Sequence, residues 1–152
     1  MKIRVELVDD LREDELIIRC REENDTIKAI RDYAVEQAAK KVEITFYKDN
    51  REFFFSPDEV LFFETRGEEV CAHTADEVYT VKYRLYELEQ MLSRKFVRVS
   101  KSAILNVEHV YSVTRNLTAS SLVNFNTGNK GVYVSRHYYH RLRERLSERS
   151  KL

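Results

Sequence analysis

Between Arg94 and Arg149, basic and hydroxyl side chains are set among strand-forming apolar residues, in two clusters. The first runs from Arg94 to Asn106 and carries Arg98, Lys101 and Ser102. The second runs from Val132 to Arg149 and carries Ser135, Arg136 and His137. A guanidinium can bond a guanine edge bidentately at O6 and N7, and an ammonium can do the same or pair with a phosphate. A serine hydroxyl can donate to a phosphate oxygen and so fix a duplex in position. Arg136 also stands where a helical pattern begins, and free N–H groups at a helix start favour an anion. Arg115 and Lys130 extend the same track.

Charge along the chain points the same way. Residues 1–40 hold 8 basic and 11 acidic side chains, residues 41–92 hold 6 and 12, and residues 93–152 hold 12 and 3. The formal net charge of zero therefore covers a basic end on an acidic body. Such asymmetry suggests a polyanionic partner, nucleic acid or an anionic membrane surface.

Other chemistries find little support in the spacing. His137 and His140 stand at i, i+3, and Cys71 lies near His73, a sparse set from which no metal site is expected. The sequence carries neither a glycine-rich phosphate loop nor a recognisable nucleophile–base–acid spacing. No acid cluster accompanies the basic region, as metal-assisted phosphoryl chemistry would need. The expectation is a non-enzyme without cofactor. Two distant cysteines fit reduced buried thiols in a cytosolic protein. No apolar run approaches the roughly 18 residues of a membrane helix. The N-terminus turns acidic at once and does not read as a secretory signal.

The elements that must position these residues are mainly short strands. Ile3, Val5 and Leu7 alternate with charged neighbours as in a half-buried strand, and Leu16–Ile18 reads as a second strand pairing with it. From Asp25 to Lys40 the period changes, with Ile27, Ile30, Ala34 and Ala38 on one helix face. Residues 1–40 thus read as a strand–strand–helix unit, too small to bury a good core alone. It is expected to serve dimerisation or partner docking.

Residues 41–149 read as a second, mainly β unit with short helices. Val42–Tyr47 and Glu52–Phe55 flank a polar turn, as do Val60–Thr65 and Val70–His73, giving two hairpins. Ser56-Pro57-Asp58-Glu59 suits a one-turn helix closed by a capping box. A strand follows at 78–81, and Leu85, Leu88 and Leu92 mark a helix of about three turns. Strands are expected near 96–99, 103–105, 109–114, 121–126 and 131–134. Tyr139, Leu142 and Leu146 then share one face of a closing helix. Its arginines, Arg141, Arg143, Arg145 and Arg149, are expected on a solvated face.

In this order the chain resembles the LytTR DNA-binding domain of bacterial transcription regulators. The resemblance covers residues 42–147 and rests on four pieces: Asp58–Thr65, Leu85–Leu92, Phe96–Asn106 and Val134–Tyr138. It implies an elongated set of small antiparallel sheets that inserts loops, not a recognition helix, into successive major grooves. The contacts it implies are Lys101 and Ser102 after the Arg98 strand, Ser135, Arg136 and His137 at the start of the last helix, and the turn at Arg66. Arg98 extends the electrostatic track, and Asn106 is implied to be a structural loop residue.

The sequence departs from the family pattern at Ser100, where histidine is usual, and at His137, where a second arginine is usual. The resemblance also implies double-stranded promoter DNA with paired repeats, two copies of the protein, some bending of the duplex and a cytoplasmic location. Val8-Asp9-Asp10 resembles the opening of a phosphoacceptor receiver domain, but the residues before Val42 leave no room for five βα units. The short, receiver-less LytTR regulators are the nearest likeness. In that subgroup a membrane protein encoded nearby often restrains the regulator. The rival expectation is an interaction module, antagonist or adaptor, that keeps the fold without binding DNA.

Overall fold

The computed structural model describes residues 1–12, 14–38 and 42–149. The chain forms two compact units, Met1–Lys41 and Val42–Leu152.

In the first unit, helix α1 spans Asp25–Ala38. Asn24 opens it, its side-chain oxygen accepting from the Ile27 amide at 2.9 Å, which satisfies one of the free N–H groups of the first turn. Ile27 is buried, whereas Ile30 is 37% exposed. The expected helix end at Lys40 lies outside the described residues. The two expected strands do not form: no described residue before Asp25 is paired in a sheet. Ile3, Val5 and Leu7 are instead 84%, 84% and 96% exposed. Alternation specifies which face a strand would bury, but a strand needs a partner, and this unit provides none.

The second unit is built on ten strands, all paired antiparallel: β1 Phe46–Lys48, β2 Arg51–Phe53, β3 Phe62–Arg66, β4 Glu69–His73, β5 Val78–Val81, β6 Phe96–Ser100, β7 Ala103–Asn106, β8 Val110–Thr114, β9 Ser121–Phe125 and β10 Gly131–Val134. Helix α2 is Leu85–Met91 and helix α3 is Arg136–Arg149. Seven strands make one sheet in the order β2-β1-β5-β4-β3-β7-β6, and β10-β9-β8 make a second. The β1–β2 hairpin turns through Asp49 and Asn50, at φ 50° and 64°, the left-handed pair that suits the twist of a two-residue hairpin. Gly67, at φ 60°, makes the β3–β4 turn.

Strand alternation divides the apolar residues between two cores. Phe62, Val97, Ala103 and Leu105 face one way, into a core completed by Val123, Phe125, Val132, Val134 and Leu142. Phe63, Phe96 and Ile104 face the other way and pack with Phe46, Val60, Leu85 and Leu88. The larger sheet is thus a wall with the small sheet and α3 on one face and α2 on the other. As expected, Leu142 is fully buried, and Tyr139 and Leu146 pack beside it.

Pro57–Glu59 forms a 3₁₀ turn. Ser56 caps it by accepting from the Asp58 amide at 3.2 Å. The Glu59 side chain has no hydrogen bond back to Ser56 among the described residues, so the expected capping box is replaced by this shorter cap. A glutamate closes the start of α2 instead, Glu87 accepting from the Arg84 amide at 3.1 Å.

Candidate nucleic-acid interface

The β6–β7 turn is a two-residue connection, since Ser100 pairs with Ala103 across it. Lys101 and Ser102 form its exposed tip. Ser100 accepts a hydrogen bond from the Ser102 amide at 3.1 Å, and the two hydroxyls lie 3.3 Å apart. The serine that stands where histidine was expected thus closes the turn. Arg98 lies beneath, its side chain only 15% exposed. It donates to the Ser100 carbonyl at 2.7 Å, the Lys101 carbonyl at 2.6 Å and Glu89 of α2 at 3.1 Å. A rigid guanidinium fork engaged at three points holds the turn against α2. Arg98 is turned inward, where the sequence suggested an outward cation.

Two backbone hydrogen bonds bring the other expected segments to this turn. The Thr65 amide donates to the Ser102 carbonyl at 2.9 Å, which sets the end of β3 and its hairpin beside it. The Ser135 amide donates to the Val99 carbonyl at 2.9 Å, which ties the start of α3 to the strand that leads into it. Residues distant in sequence therefore share one end of the larger sheet.

Within this arrangement the expected residues differ in what they can reach. The Lys101 ammonium and the Arg136 guanidinium are exposed, and neither has a hydrogen bond or ion pair among the described residues. Glu144, a candidate partner for Arg136, pairs with His140 at 3.0 Å instead. His137 is exposed and sits edge-on to Tyr138, ring centroids 5.0 Å apart. Arg66 is 61% exposed and donates to Glu64 at 2.8 Å. The Ser135 hydroxyl is buried and has no hydrogen-bond partner, so it does not face solvent as a phosphate donor would.

Glu64 also holds His73, with Nε2 at 2.8 Å. His73 stacks on Phe62 with centroids 4.1 Å apart. Burial lowers its pKa and outweighs the nearby carboxylate, which acts in the opposite direction. The geometry agrees: its Nδ1 is buried without an acceptor, so a second ring proton there would have nowhere to bond.

Many of the remaining cations are committed internally. Lys130 donates to the carbonyls of Thr74 and Glu77 at 2.9 and 3.1 Å, and burial lowers its pKa. Arg115 lies over the Tyr139 ring at 4.9 Å. Arg145 donates to the carbonyls of Arg94 and Phe96 at 2.7 and 3.2 Å. Arg149 donates to the Val107 and Val110 carbonyls, and Arg141 pairs with Glu89 at 3.6 Å. Arg145 and Arg149 staple α3 to the sheet, correcting the expectation of a solvated face, which holds for Arg141 and Arg143. Sequence reading missed Lys82 and Arg84, exposed in the β5–α2 connection and lining one concavity with Lys101. Their signal was present in the alternating cations and tyrosines of Lys82–Tyr86. The same concavity also carries Glu68 and Glu69. Asn106 is structural, as expected: fully buried, it donates to the Asp58 and Val60 carbonyls at 3.2 Å each and accepts from the Glu108 amide at 3.0 Å.

Comparison with known proteins agrees with the fold. The family described as the LytTr DNA-binding domain matches residues 50–147. A protein of Staphylococcus aureus strain NCTC 8325, described as an uncharacterized HTH-type transcriptional regulator, is 30% identical over 125 residues, covering 82% of this chain and 83% of that one. A protein of the bovine strain RF122 with the same description is 31% identical over 127 residues, again covering 82% and 83%. Among solved structures, the LytTr DNA-binding domain of a putative methyl-accepting/DNA response regulator from Bacillus cereus aligns with a TM-score of 0.64 at 24% identity, covering 70% of this chain and 98% of that one. That likeness establishes the fold. The relatives are described as helix-turn-helix proteins, yet among the described residues here α2 and α3 are separated by five strands, and no two helices are joined by a short turn.

Proposed function

Because this chain belongs to the LytTR DNA-binding domain family, we propose that it is a transcription regulator that reads duplex DNA through strand turns and a helix start. The β6–β7 tip with Lys101 and Ser102 enters one major groove. The start of α3, with Arg136 and His137, enters the next. Arg136 reads a guanine, while Lys101 reads a base or holds a phosphate. Arg66 at the β3–β4 hairpin is an outlying contact. Arg98 and Ser135 position these segments and do not touch DNA.

One observation carries this reading. Two exposed cations without partners among the described residues, Lys101 and Arg136, stand on segments joined by the Ser135–Val99 backbone hydrogen bond. A free guanidinium at a helix start has its full donor set available to a base edge. The regulator acts in the cytoplasm on paired promoter repeats, bends the duplex to reach successive grooves, and takes its restraint from a membrane-protein partner. Among the described residues no helix is long and apolar enough to cross a membrane.

The test is binding of the purified protein to its own upstream DNA against a scrambled duplex, at two salt concentrations, with Lys101→Ala and Arg136→Ala alongside. Preferential binding that weakens steeply with salt, with binding to the upstream DNA weakened in both variants, supports the reading. The acidic wall of Glu68 and Glu69 in the concavity beside Lys101 favours one rival, an interaction module that keeps the fold without binding DNA. Absence of preference at either salt by folded protein would select that rival.

A further inference from the structure

The first unit leaves its strand-forming sequence without a partner. Residues 2–7 alternate charged and apolar side chains, yet Ile3, Val5 and Leu7 are 84%, 84% and 96% exposed. Leu16 and Ile17, in the second apolar run, are 68% and 66% exposed. A strand-forming segment with unpaired amides and exposed apolar side chains is a template for another chain. What that chain is can be read from the charges. Arg4 and Glu6 lie on the opposite face from Ile3, Val5 and Leu7, and they pair with each other within the chain while 75% and 59% exposed.

Antiparallel pairing of this segment with a second copy of itself has few possible registers. A two-fold axis through Arg4 sets arginine against arginine, and an axis through Glu6 sets glutamate against glutamate; like charges directly opposite destabilise a sheet. An axis between two residues sets apolar side chains against charged ones, on opposite faces. An axis through Val5 avoids both faults from Ile3 to Leu7, and only at the ends does Lys2 face the partner's Val8. Val5 then faces the partner's Val5, Ile3 faces the partner's Leu7, and Arg4 faces the partner's Glu6, with the last two pairs each formed twice by symmetry.

We propose that residues 2–8 form the central pair of an intermolecular antiparallel sheet between two copies of this chain, with the two-fold axis at Val5. Two strands alone are marginal in water, so the Leu16–Ile18 runs flank them as outer strands. The pairing brings two DNA-binding units together through residues 2–8, while Lys101 and Arg136 belong to the other unit. It does not depend on the DNA-binding reading.

Sedimentation of the full chain without DNA tests the register. The wild-type chain sediments as a dimer. Arg4→Glu and Glu6→Arg each set like charges opposite one another at two symmetric places, and each raises the dimer dissociation constant by about tenfold. The charge-swapped double variant, Arg4→Glu with Glu6→Arg, restores it. In a Cys20→Ser background, Val5→Cys captures a covalent dimer with a short thiol crosslinker. Ile3→Cys does so only when mixed with Leu7→Cys. A wild-type monomer, a double variant as weak as the singles, or Ile3→Cys crosslinking to itself as readily as Val5→Cys would each overturn the proposal. Because no DNA is present, failure here is distinct from failure of the DNA-binding reading.

Discussion

In the proposed reading Arg136 and Lys101 do different work, and variants separate the two roles. Arg136→Ala is expected to cost about 1–3 kcal/mol of specific binding and to relax preference at one base pair, checked by competition with single-base-pair variants of the site. Where Lys101 holds a phosphate, Lys101→Ala weakens specific and random duplexes alike and lowers the salt slope by about one. His73 makes a separate prediction. Its pKa is lowered in the fold, so the unfolded chain takes up a proton first. Stability therefore falls as pH drops below the unfolded value of about 6.5, and the fall ends once pH passes below the folded pKa. Denaturant unfolding at a series of pH values should reveal this loss, and His73→Gln, which can still donate to Glu64 but does not titrate, should lack that component. The residue types of the interface were legible in the sequence, but their availability was not. Arg145 is held by the Arg94 and Phe96 carbonyls, 51 and 49 positions away, and no local pattern encodes such a bond.

At the scale of elements, the legible parts were those whose signal is local. Turn residues marked the β1–β2 and β3–β4 hairpins, and three apolar positions at helical spacing marked the buried face of α3. The N-terminal strands were not legible in the same sense, because alternation at Ile3, Val5 and Leu7 names a face and leaves the partner open. Connections between elements give a further prediction. Asn106 bonds both the segment before β3 and the turn after β7. Asn106→Ala leaves the buried Val60 carbonyl and the Glu108 amide without that partner, while the Asp58 carbonyl keeps His109; the cost is about 1–3 kcal/mol, measurable by denaturant unfolding. The loss should appear in stability, while the protein that remains folded keeps its sequence preference.

For the whole molecule, the seven-stranded sheet acts as a partition, with neighbouring residues such as Phe62 and Phe63 serving different cores. The β9–β10 hairpin is seated on the β4–β5 connection at Gly128. A Cβ there would lie 2.8 Å from the Ala75 carbonyl oxygen, at a backbone φ of +71°. Gly128→Ala is expected to lower stability by about 1–3 kcal/mol through strain and this clash, read as a shift in the unfolding midpoint. Bending of the bound duplex belongs to this scale too, and circular permutation of the binding site within a fragment should change gel mobility if the path is curved.

The three segments proposed to read DNA lie at strand and helix ends, and Lys101, Ser102, Gly67, Arg136 and His137 belong to neither core. Their side chains can change without altering how either core packs. Copies of such a gene are therefore free to drift toward new promoters by a few surface substitutions, each screened for the site it reads and not for whether the chain still folds. Divergence between descendants should accumulate at these tips first, with Arg98 and Asn106 beneath them changing last.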